Sequence, residues 1–481
     1  MEVPHPHDPG SLFPDHASRV PLSRQLVQRL RNAIRAGALA EGSRLLPTRE
    51  FATRIGVSRN TVVAAVDQLI AEGYLVARVG SGTFVARGVG SVPAVQRDGT
   101  APGLPPSAQR YLDMADQITS WGGAVRAFRT GMPDIEAFPV AAWDRFARRV
   151  SMHPARFAYG TAGGSARLRS VLADHLRQFR GVTADPDDIV ITDGAQSAIS
   201  LIADVLLEPG DRVLLEDPSY PFARVAFRAR GAAIVPHRAD EHGLDAAHAP
   251  SARLAYVTPA HQYPLGGTMG PGRRAALLGW ARNHDAYVVE DDHDGEFCFH
   301  RPPLPALQSG DVDGRVIYVG TFSKVLAPGL RIGFLVAPPH LAPAFRVART
   351  VSALGVNPHT QHTLADFIAE GYLARHVRRM TGEYQRRAEL LTELLRPLAG
   401  TLSIGPATGS LHLTVVGDSS LDDRAIANKA HARGLALHPL SRACLSRTDM
   451  RGFVLGFGSA TIAEIPDAFT TFRDVLAQPL E

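Results

Sequence analysis

The sequence predicts an α/β protein in two parts, a small N-terminal unit and a much larger C-terminal one. Residues 20–88 carry three short helical patterns and then a glycine-tipped hairpin. From residue 121 to 481, short apolar strands alternate with helical patterns, which favours a mainly parallel sheet covered by helices. Residues 89–120 are rich in Gly, Pro, Ala and Ser, and we interpret them as a linker. We expect residues 1–19 to be disordered.

Charge separates the two parts. Between Val20 and Gly90, ten Arg and four acidic residues give a net charge of +6, which leaves −2 for the rest of a chain whose total is +4. A basic segment attached to a slightly acidic body is typical of a nucleic-acid partner for that segment alone.

Composition argues against several other classes of protein. No apolar run reaches the roughly 18 residues of a membrane helix, and the first residues lack the apolar segment of a secretory signal. Two cysteines, Cys298 and Cys444, are too few for a disulfide framework or a structural zinc site, so we expect reduced thiols and no metal. We therefore expect a cytoplasmic protein without a membrane partner.

The N-terminal unit has the element order of a winged helix-turn-helix. An apolar stripe at helical spacing runs from Pro21 to Ala36, a second short helix is expected over Thr48–Ile55, and Ser58 is a favourable N-cap for a third. Two β runs, Tyr74–Arg78 and Thr83–Ala86, then flank a Gly-Ser-Gly turn. In this fold the second helix braces the third, whose N-terminal turn enters the major groove of DNA.

The candidate DNA contacts lie on these elements. Arg reads guanine and Asn reads adenine through paired hydrogen bonds, Ser and Thr hydroxyls bond base or phosphate, and glycine lets a wing approach the minor groove closely. An Arg at the start of the second helix is placed to reach a phosphate. The candidates are Arg49, Ser58, Arg59, Asn60 and Thr61, with Gly80, Ser81 and Gly82 in the wing. On pattern alone, a structural helical bundle with solvated Arg is the alternative.

Five segments of this unit resemble one family. They read PLSRQL at 21–26, LPTRE at 46–50, VSRNTV at 57–62, EGYL at 72–75 and GSGTFV at 80–85. Matched in this order, they closely resemble the DNA-binding domain of the GntR family of bacterial regulators. The resemblance implies double-stranded operator DNA as a partner.

The C-terminal unit places polar side chains after apolar strands. Strands are expected at Ile189–Thr192, Arg212–Glu216, Leu254–Thr258, Tyr287–Glu290 and Val316–Val319, with helices at Gln196–Leu207 and Arg273–His284. The carboxyl ends of strands in an open α/β sheet converge on one crevice. We therefore expect the residues that follow these strands to form one site.

The residues of that crevice are those that pyridoxal phosphate (PLP) chemistry requires. A primary amine must form the Schiff base, a carboxylate must keep the pyridine nitrogen protonated, donors must bind the phosphate and an aromatic side chain must stack on the ring. The chain has two lysines, Lys324 and Lys429, and Lys324 follows a strand. Asp291 and Tyr220 follow other strands. We interpret Lys429 as a solvated residue of an amphipathic helix.

The expected phosphate donors come from two segments. Hydroxyls and a guanidinium follow the strand before Lys324, and backbone N–H groups open the helix after the strand Ile189–Thr192. The donors are Thr321, Ser323 and Arg331 in the first segment and Gly194, Ala195 and Gln196 in the second. Taken singly, these pieces have other interpretations: a surface Ser-Lys, a solvated or magnesium-binding Glu-Asp-Asp cluster, or a plain helix cap.

The body resembles PLP-dependent transferases of fold type I, the aminotransferases of class I/II, and the chain from Pro21 onward resembles the MocR/GabR group of GntR regulators. The matching motifs are TPAHQYP at 258–264, EDD at 290–292, TFSK at 321–324 and LRIG at 330–333. The resemblance implies PLP as the cofactor, Lys324 as the Schiff-base lysine, Asp291 as the partner of the pyridine nitrogen and Tyr220 as the ring stacker. It places the six donors named above around the phosphate.

Two further roles are implied by the same resemblance. Tyr159 resembles the tyrosine that reaches the phosphate from a neighbouring subunit. Arg442, in the segment His438–Arg442, resembles the arginine that clamps the carboxylate of an amino-acid ligand, although Arg447 and Arg451 are close by in sequence.

One position departs from the family pattern. His293 stands where the group usually has a tyrosine that bonds the phenolic oxygen of the cofactor. A histidine donates from either ring nitrogen and titrates near neutral pH. In the alternative interpretation, His293 turns away and a water takes its place.

These observations lead to one main functional hypothesis and two alternatives. We expect a homodimeric transcription regulator in which an amino compound displaces Lys324 from PLP, its carboxylate is held by Arg442, and the bound state changes how the heads bind DNA. The first alternative is a working aminotransferase that carries a DNA-binding domain, with Lys324 as the base. The second is a regulator whose effector is PLP itself.

Overall fold

The computed structural model describes residues 12, 14–15, 17–18, 20–89, 103–115, 127–154, 158–300 and 302–478. These residues divide into two compact units, one ending at Gly103 and one beginning at Leu104. Most of the stretch predicted to be disordered, 1–19, lies outside the described residues.

The N-terminal unit contains three helices and a hairpin within its described residues. They are α1 (Leu22–Arg35), α2 (Thr48–Ile55), α3 (Arg59–Ala71), β1 (Leu75–Arg78) and β2 (Gly82–Val85). The apolar stripe of α1, with Leu26, Leu30 and Ile34 fully buried, packs against α3. Ser58 caps α3, since its Oγ accepts a hydrogen bond from the Thr61 N–H at 3.1 Å. The predicted winged helix-turn-helix is confirmed.

The C-terminal unit begins with a helix inside the segment predicted as a linker. This helix, α4, spans Pro106–Asp113 and packs against a later helix of the same unit. Residues 90–102 and 116–120 of that segment lie outside the described residues.

The large sheet of this unit is covered by helices. In chain order its elements are α5 (Val140–Ser151), α6 (Ala166–Arg180), β3 (Ile189–Thr192), α7 (Ala195–Leu206), β4 (Arg212–Asp217), α8 (Pro221–Ala229), β5 (Ala233–Asp240), β6 (Gly243–Leu244), β7 (Leu254–Val257), α9 (Pro271–Asn283), β8 (Tyr287–Asp292), β9 (Val316–Thr321), α10 (Phe322–Val325), β10 (Gly333–Val336) and α11 (Ala342–Ala353). Every residue of β3, β7, β9 and β10 is buried, as expected for strands covered on both faces.

The strand order of the large sheet is β3-β10-β9-β8-β7-β4-β5-β6. Strands β4, β5, β7, β8 and β9 run parallel, which confirms the predicted α/β class. Strand β10 runs antiparallel to both of its neighbours, a feature that the strand pattern did not predict. Only residues 322–332 separate β9 from β10, a segment shorter than the dozen or more residues that a parallel crossover needs.

A smaller lobe completes the unit. It contains α12 (Pro358–Ala369), α13 (Tyr372–Leu395), β11 (Ser403–Ile404), β12 (His412–Gly417), α14 (Asp423–Ala432), β13 (His438–Pro439), β14 (Arg451–Gly456) and α15 (Glu464–Leu476). Its strands form an antiparallel sheet in the order β11-β12-β14-β13. None of the described helices combines the length and the apolarity needed to span a membrane.

Candidate cofactor pocket and nucleic-acid interface

One glycine brings two segments of the predicted pocket together. Thr192 at the end of β3 and Thr321 at the end of β9 both pair with Gly333, the first residue of β10. A Cβ atom on Gly333 would lie 2.6 Å from the carbonyl carbon of Gly194, so only glycine allows α7 to begin this close to the sheet. The predicted donors after β3 and those after β9 therefore flank one point of the sheet edge.

A guanidinium lies at the N-terminus of α7. Gly194, the N-cap, adopts a φ of +97°, and a Cβ atom there would lie 3.6 Å from Nη1 of Arg331. The first N–H groups of a helix, here from Ala195 onward, have no partners within the helix. Such N–H groups beside a guanidinium form a site suited to a phosphate.

Two hydroxyls and one amide complete this group of candidates. Thr321 Oγ1 donates to Ser323 Oγ at 3.0 Å and accepts from the Ser323 N–H at 3.2 Å, which caps the short helix α10. Gln196 behaves differently, because its Nε2 donates to the Phe222 carbonyl at 3.0 Å and joins α7 to α8. Its side-chain amide is thereby used in packing, which leaves its backbone N–H for a phosphate.

Lys324 points into the interior beside two carboxylates. It belongs to α10, and its Nζ donates to the carbonyl of Gly131. Burial lowers the pKa of Lys324 to about 8, even though the charges of Asp294 and Asp291 act in the opposite direction. The amine is therefore neutral in a sizeable fraction of molecules slightly above neutral pH, and a neutral amine is the nucleophilic form.

Asp291 is a buried carboxylate with one acceptor position unused. Tyr256 on β7 donates to its Oδ2 at 2.5 Å, whereas its Oδ1 has no hydrogen-bond partner among the described residues. Burial raises the pKa of Asp291, while the neighbouring His293 and the hydrogen bond from Tyr256 favour the charged form. A buried acceptor without a partner is costly, and a protonated ring nitrogen is a donor that suits it.

The aromatic side chains of the pocket form a cluster around Tyr220. This residue is the N-cap of α8. Its ring lies 5.6 Å from that of Phe222 and 5.7 Å, edge to face, from that of Tyr263. Tyr263 was not singled out in the sequence analysis, although it belongs to the TPAHQYP motif.

His293 lies next to Tyr263 and Asp294. Its ring is 6.2 Å from that of Tyr263. Its buried Nε2 has no hydrogen-bond partner among the described residues, although it lies 3.4 Å from Oδ1 of Asp294. The ring therefore stays in the interior, close to Asp291 and Asp294.

Asp294 is the centre of a buried polar network. Its Oδ1 lies 2.8 Å from Nδ1 of His261, and its Oδ2 accepts from Ser410 Oγ at 2.9 Å. Burial disfavours a charge on His261, but the Asp294 carboxylate outweighs burial and raises the pKa of His261 to about 9. Ser410 continues the network to His412, whose Nε2 lies 3.1 Å from the Pro264 carbonyl. The network thereby joins the smaller lobe to the segment that follows β8, which carries His293 and Asp294.

The predicted ligand arginine, Arg442, lies on a loop of the smaller lobe, and its side chain is exposed. The two other arginines nearby in sequence lie elsewhere: Arg447 forms a bidentate ion pair with Asp449, and Arg451 is the first residue of β14. The loop contacts the turn between β4 and α8, next to Tyr220, since the Ser219 N–H donates to the Ala443 carbonyl at 3.0 Å.

Tyr159 does not line the pocket of its own subunit. It is 90% exposed, and none of the polar contacts found among the described residues joins it to the pocket. The adjacent Gly160 lies against the turn before α12, since a Cβ atom there would lie 3.7 Å from Cγ of Pro358.

Most of the predicted DNA contacts are exposed to solvent. Thr61 is half-buried, and the other seven are exposed, namely Arg49, Ser58, Arg59, Asn60, Gly80, Ser81 and Gly82. Gly80 and Gly82 adopt φ values of +75° and +110°, which fits the left-handed turn of a wing. The guanidinium of Arg44, a residue not predicted as a DNA contact, lies against this turn, with Nε 2.9 Å from the position of a Cβ on Gly82.

Several pocket residues escaped the sequence analysis because their roles depend on contacts distant in sequence. Tyr256 ends up against Asp291, 35 positions later, and Asp294 meets Ser410 at a separation of 116. The TPAHQYP motif was the one available signal, since it contains both His261 and Tyr263.

Comparison with protein families divides the chain in the same way. Residues 22–85 match the family model described as bacterial regulatory proteins, gntR family. Residues 130–445 match the model described as aminotransferase class I and II.

Two relatives match nearly the whole chain. The probable rhizopine catabolism regulatory protein MocR of Rhizobium meliloti is 39% identical, over 95% of this chain and 94% of its own. The pyridoxine biosynthesis transcriptional regulator PdxR of Corynebacterium glutamicum is 33% identical, over 96% and 98%. Among solved structures, the kynurenine aminotransferase of Pyrococcus horikoshii has a TM-score of 0.68 and 26% identity, over 81% of this chain and 99% of its own.

The fold and the matched families define a class of protein, a winged helix-turn-helix head joined to an aminotransferase-like body of fold type I, the fold of PLP-dependent enzymes. It is a DNA-binding transcription regulator rather than a free-standing aminotransferase. The chain belongs to the MocR-type group of the GntR family of regulators.

Proposed function

We propose that this regulator binds PLP through Lys324 and uses the bound cofactor to sense an amino compound that carries a carboxylate. The observation that carries the proposal is the buried Oδ1 of Asp291, which has no partner among the described residues and lies close to the partly buried amine of Lys324. An unpaired buried acceptor is destabilising unless a ligand supplies a donor. A protonated pyridine nitrogen is such a donor.

The other pocket residues fit the remaining parts of the cofactor. Arg331, the N–H groups that open α7 and the hydroxyls of Thr321 and Ser323 would hold the phosphate. Tyr220 would stack on the ring. When bound, the cofactor supplies an aldehyde that condenses with primary amines and a ring that withdraws electrons.

His293 would stand near the phenolic oxygen of the cofactor, in place of the family tyrosine. Its buried Nε2 has no hydrogen-bond partner among the described residues, which favours the interpretation in which it donates to the cofactor. In this interpretation its proton is held at Nε2 and shared with the cofactor oxygen.

Arg442 would hold the carboxylate of the amino compound. Its loop is attached beside Tyr220, so that a ligand joined to the cofactor would reach it, while Arg447 is already paired with Asp449. A guanidinium binds a carboxylate through two parallel hydrogen bonds. An amine without a carboxylate would therefore bind more weakly.

The head would bind operator DNA through the exposed residues at the start of α3. Arg59 and Asn60 would read bases, Ser58 and Thr61 would bond bases or phosphates, and Arg49 would bond a phosphate. The wing at residues 80–82 would approach the minor groove. A regulator that binds operator DNA would act in the cytoplasm.

A route between the two functions is available within the C-terminal unit. Helix α8 begins directly after Tyr220 and packs against α4. Helix α4 begins at Pro106, close to the boundary between the two units. A change at the ring stacker would therefore reach the connection to the head through two packed helices, which is the coupling that an allosteric regulator needs.

A homodimer would complete the pocket. Tyr159 is almost fully exposed and would reach the phosphate of the second subunit. Close to it in the fold, α11 exposes Val347 and Val351, and Leu354 directly after it is 63% exposed. Apolar side chains on one side of a helix are typical of a surface that a partner covers.

The proposal is tested with purified protein and a panel of amino acids. We expect a visible absorbance band of the lysine-bound cofactor, a change of this band with the effector, and a parallel change in operator affinity. Lys324→Ala should abolish all three, whereas Lys429→Arg should leave them intact, because Lys429 is half-buried on α14, a helix that carries none of the predicted cofactor residues. The absence of the band in wild-type protein, or effector control that survives Lys324→Ala, would refute the proposal.

A second candidate function is favoured by the surroundings of Lys324, whose Nζ donates to the Gly131 carbonyl beside the carboxylates of Asp291 and Asp294. A buried amine with a pKa of about 8 is suited to moving a proton. Repeated turnovers of an amino donor to its keto acid would establish an active aminotransferase. A response of DNA affinity to PLP alone, without any amine, would instead identify the cofactor as the effector.

A further inference from the structure

The loop that carries Arg442 is attached to the elements that carry Tyr220. Residues 443–450 form neither helix nor strand, so their position depends on side chains that bind their backbone. Asp217, the last residue of β4, and Arg224, on α8, supply most of these contacts. Tyr220 lies between the two in sequence.

Asp217 holds three consecutive residues of the loop. Its Oδ1 accepts from the Leu445 N–H at 2.7 Å, and its Oδ2 accepts from the N–H and the hydroxyl of Ser446, both at 2.6 Å. The Arg447 N–H also approaches Oδ2, at 3.2 Å. The carboxylate is fully buried, and hydrogen bonds to a buried charge are stronger than those between neutral groups.

Arg224 holds the part of the loop that precedes these residues. Its side chain is 6% exposed. Nη2 donates to the carbonyl of Arg442 and Nη1 to the carbonyl of Cys444, both at 3.4 Å. Together with the contact between Ser219 and Ala443, β4 and α8 bind the loop backbone from residue 442 to residue 447.

The other side of Arg442 is fixed by the smaller lobe. Asp423 at the start of α14 accepts from the N–H and the hydroxyl of Ser441 at 2.9 and 2.7 Å. Arg442 therefore lies between two buried carboxylates, Asp423 in the smaller lobe and Asp217 in the large sheet. The second of these joins the loop to the end of β4, three residues before Tyr220.

We propose that Asp217 and Arg224 are positioning residues for ligand recognition, which set the distance between the ring stacked on Tyr220 and the guanidinium of Arg442. The inference rests on the proposed function, since it requires Arg442 to bind a carboxylate. Under this inference, the preference for amines that bear a carboxylate depends on Asp217, which acts through the loop backbone and not by binding the ligand itself. Misplacing a binding group by about 1 Å is enough to lose most of its effect.

The test compares two stable probes on the full-length protein freed of cofactor. One probe is the reduced adduct of PLP with L-alanine, and the other is the adduct with ethylamine, which is the same molecule without the carboxylate. The ratio of their dissociation constants measures the contribution of the carboxylate alone. Binding of the ethylamine adduct reports whether the rest of the pocket is intact.

We expect wild-type protein to favour the alanine adduct and Arg442→Gln to lose this preference. Asp217→Asn should lower the preference roughly tenfold, with unchanged affinity for the ethylamine adduct. Ser446→Ala, which removes one hydrogen bond and no charge, should lower it less, and it keeps the test available if Asp217→Asn does not fold. Arg224→Gln should lower the preference, whereas Arg228→Gln, one turn further along α8, should not.

Three outcomes would overturn the inference, and the third of them would also overturn the carboxylate clamp of the proposed function. If Asp217→Asn, Ser446→Ala and Arg224→Gln keep the full preference while Arg442→Gln loses it, the loop is positioned by other contacts. If Asp217→Asn weakens both adducts equally, its role is in folding alone. If Arg442→Gln keeps the preference as well, or wild-type protein has none, the carboxylate clamp of the proposed function is wrong and this inference falls with it.

Discussion

Tyr256 donates a hydrogen bond of 2.5 Å to one oxygen of Asp291, while the other oxygen is buried without a partner among the described residues. The two residues lie on the neighbouring parallel strands β7 and β8. The phenol thereby fixes the carboxylate and favours its charged form, which burial would otherwise oppose.

Removing the hydroxyl should weaken cofactor binding. In Tyr256→Phe the pKa of Asp291 should rise further, because the hydrogen bond that lowers it is lost, and PLP affinity should fall about tenfold. The dissociation constant of PLP, measured by absorbance on protein freed of cofactor, checks this prediction. Asp291→Asn should have a larger effect in the same direction.

Tyr318→Phe is the matched control for this prediction. Tyr318 on β9 is as buried as Tyr256 and donates to Oδ2 of Asp292 at 2.6 Å. Asp292 itself forms an ion pair with Arg180. Its loss should reduce stability by a similar amount and leave PLP affinity unchanged. A similar loss of affinity in both variants would mean that Tyr256 acts through general packing.

The sequence was sufficient for the elements whose patterns are local. The three head helices, the wing and the strands β3, β4, β7, β8 and β9 were predicted within a few residues, since apolar periodicity and Gly or Pro boundaries specify them. Strand β10 was missed. It is a four-residue apolar run, and its pairing with two strands in the antiparallel sense depends on neighbours distant in sequence.

The site was predictable where chemistry restricts the choice of residue. With two lysines in the chain, the motif around Lys324 was enough to predict this residue as the Schiff-base amine. Tyr256, Asp217 and the pair His261–Asp294 were not predictable in the same way. Each acts through a partner that the fold, not the sequence order, brings into contact.

The pair His261–Asp294 should make stability depend on pH. The pKa of His261 is raised to about 9, so its contribution to stability is complete below the unfolded-state value near 6.5 and is lost as pH rises through 9. The pKa of Asp294 is lowered, so its contribution is present above about 4 and is lost in acid. The pair therefore stabilises the fold most between about pH 4, above which Asp294 contributes, and about pH 6.5, below which the contribution of His261 is complete.

Urea unfolding at pH 6.5 and at pH 9.5 measures this effect. From pH 6.5 to pH 9.5, the free energy of unfolding of wild-type protein should fall by up to roughly 3 kcal/mol more than that of His261→Gln. His412→Gln is the control, because burial lowers the pKa of His412 to about 4 and the residue stays neutral over this range. Equal pH dependence in wild type and His261→Gln would show that the pair is not charged.

The N-cap of α3 should be visible in the stability of the head. Ser58→Ala removes the acceptor of the Thr61 N–H and should cost about 1 kcal/mol, whereas Ser58→Asp should restore most of it. Hydrogen exchange of the amides of α3 measures this loss within the whole protein. Protection that is unchanged in Ser58→Ala would mean that another group takes over the cap.

Two exposed arginines of the head should contribute differently to operator binding. Arg59, the first residue of α3, is expected to read a base, so Arg59→Gln should cost about 1–3 kcal/mol on the operator and relax the preference at one base pair. Arg49, in the first turn of α2, is expected to bind a phosphate, so Arg49→Gln should weaken binding to all sequences alike and reduce the salt dependence by about one counterion. Affinities for the operator and for a scrambled duplex, each at several salt concentrations, separate the two roles. If both variants lose the same affinity on both duplexes, α3 does not read bases through Arg59.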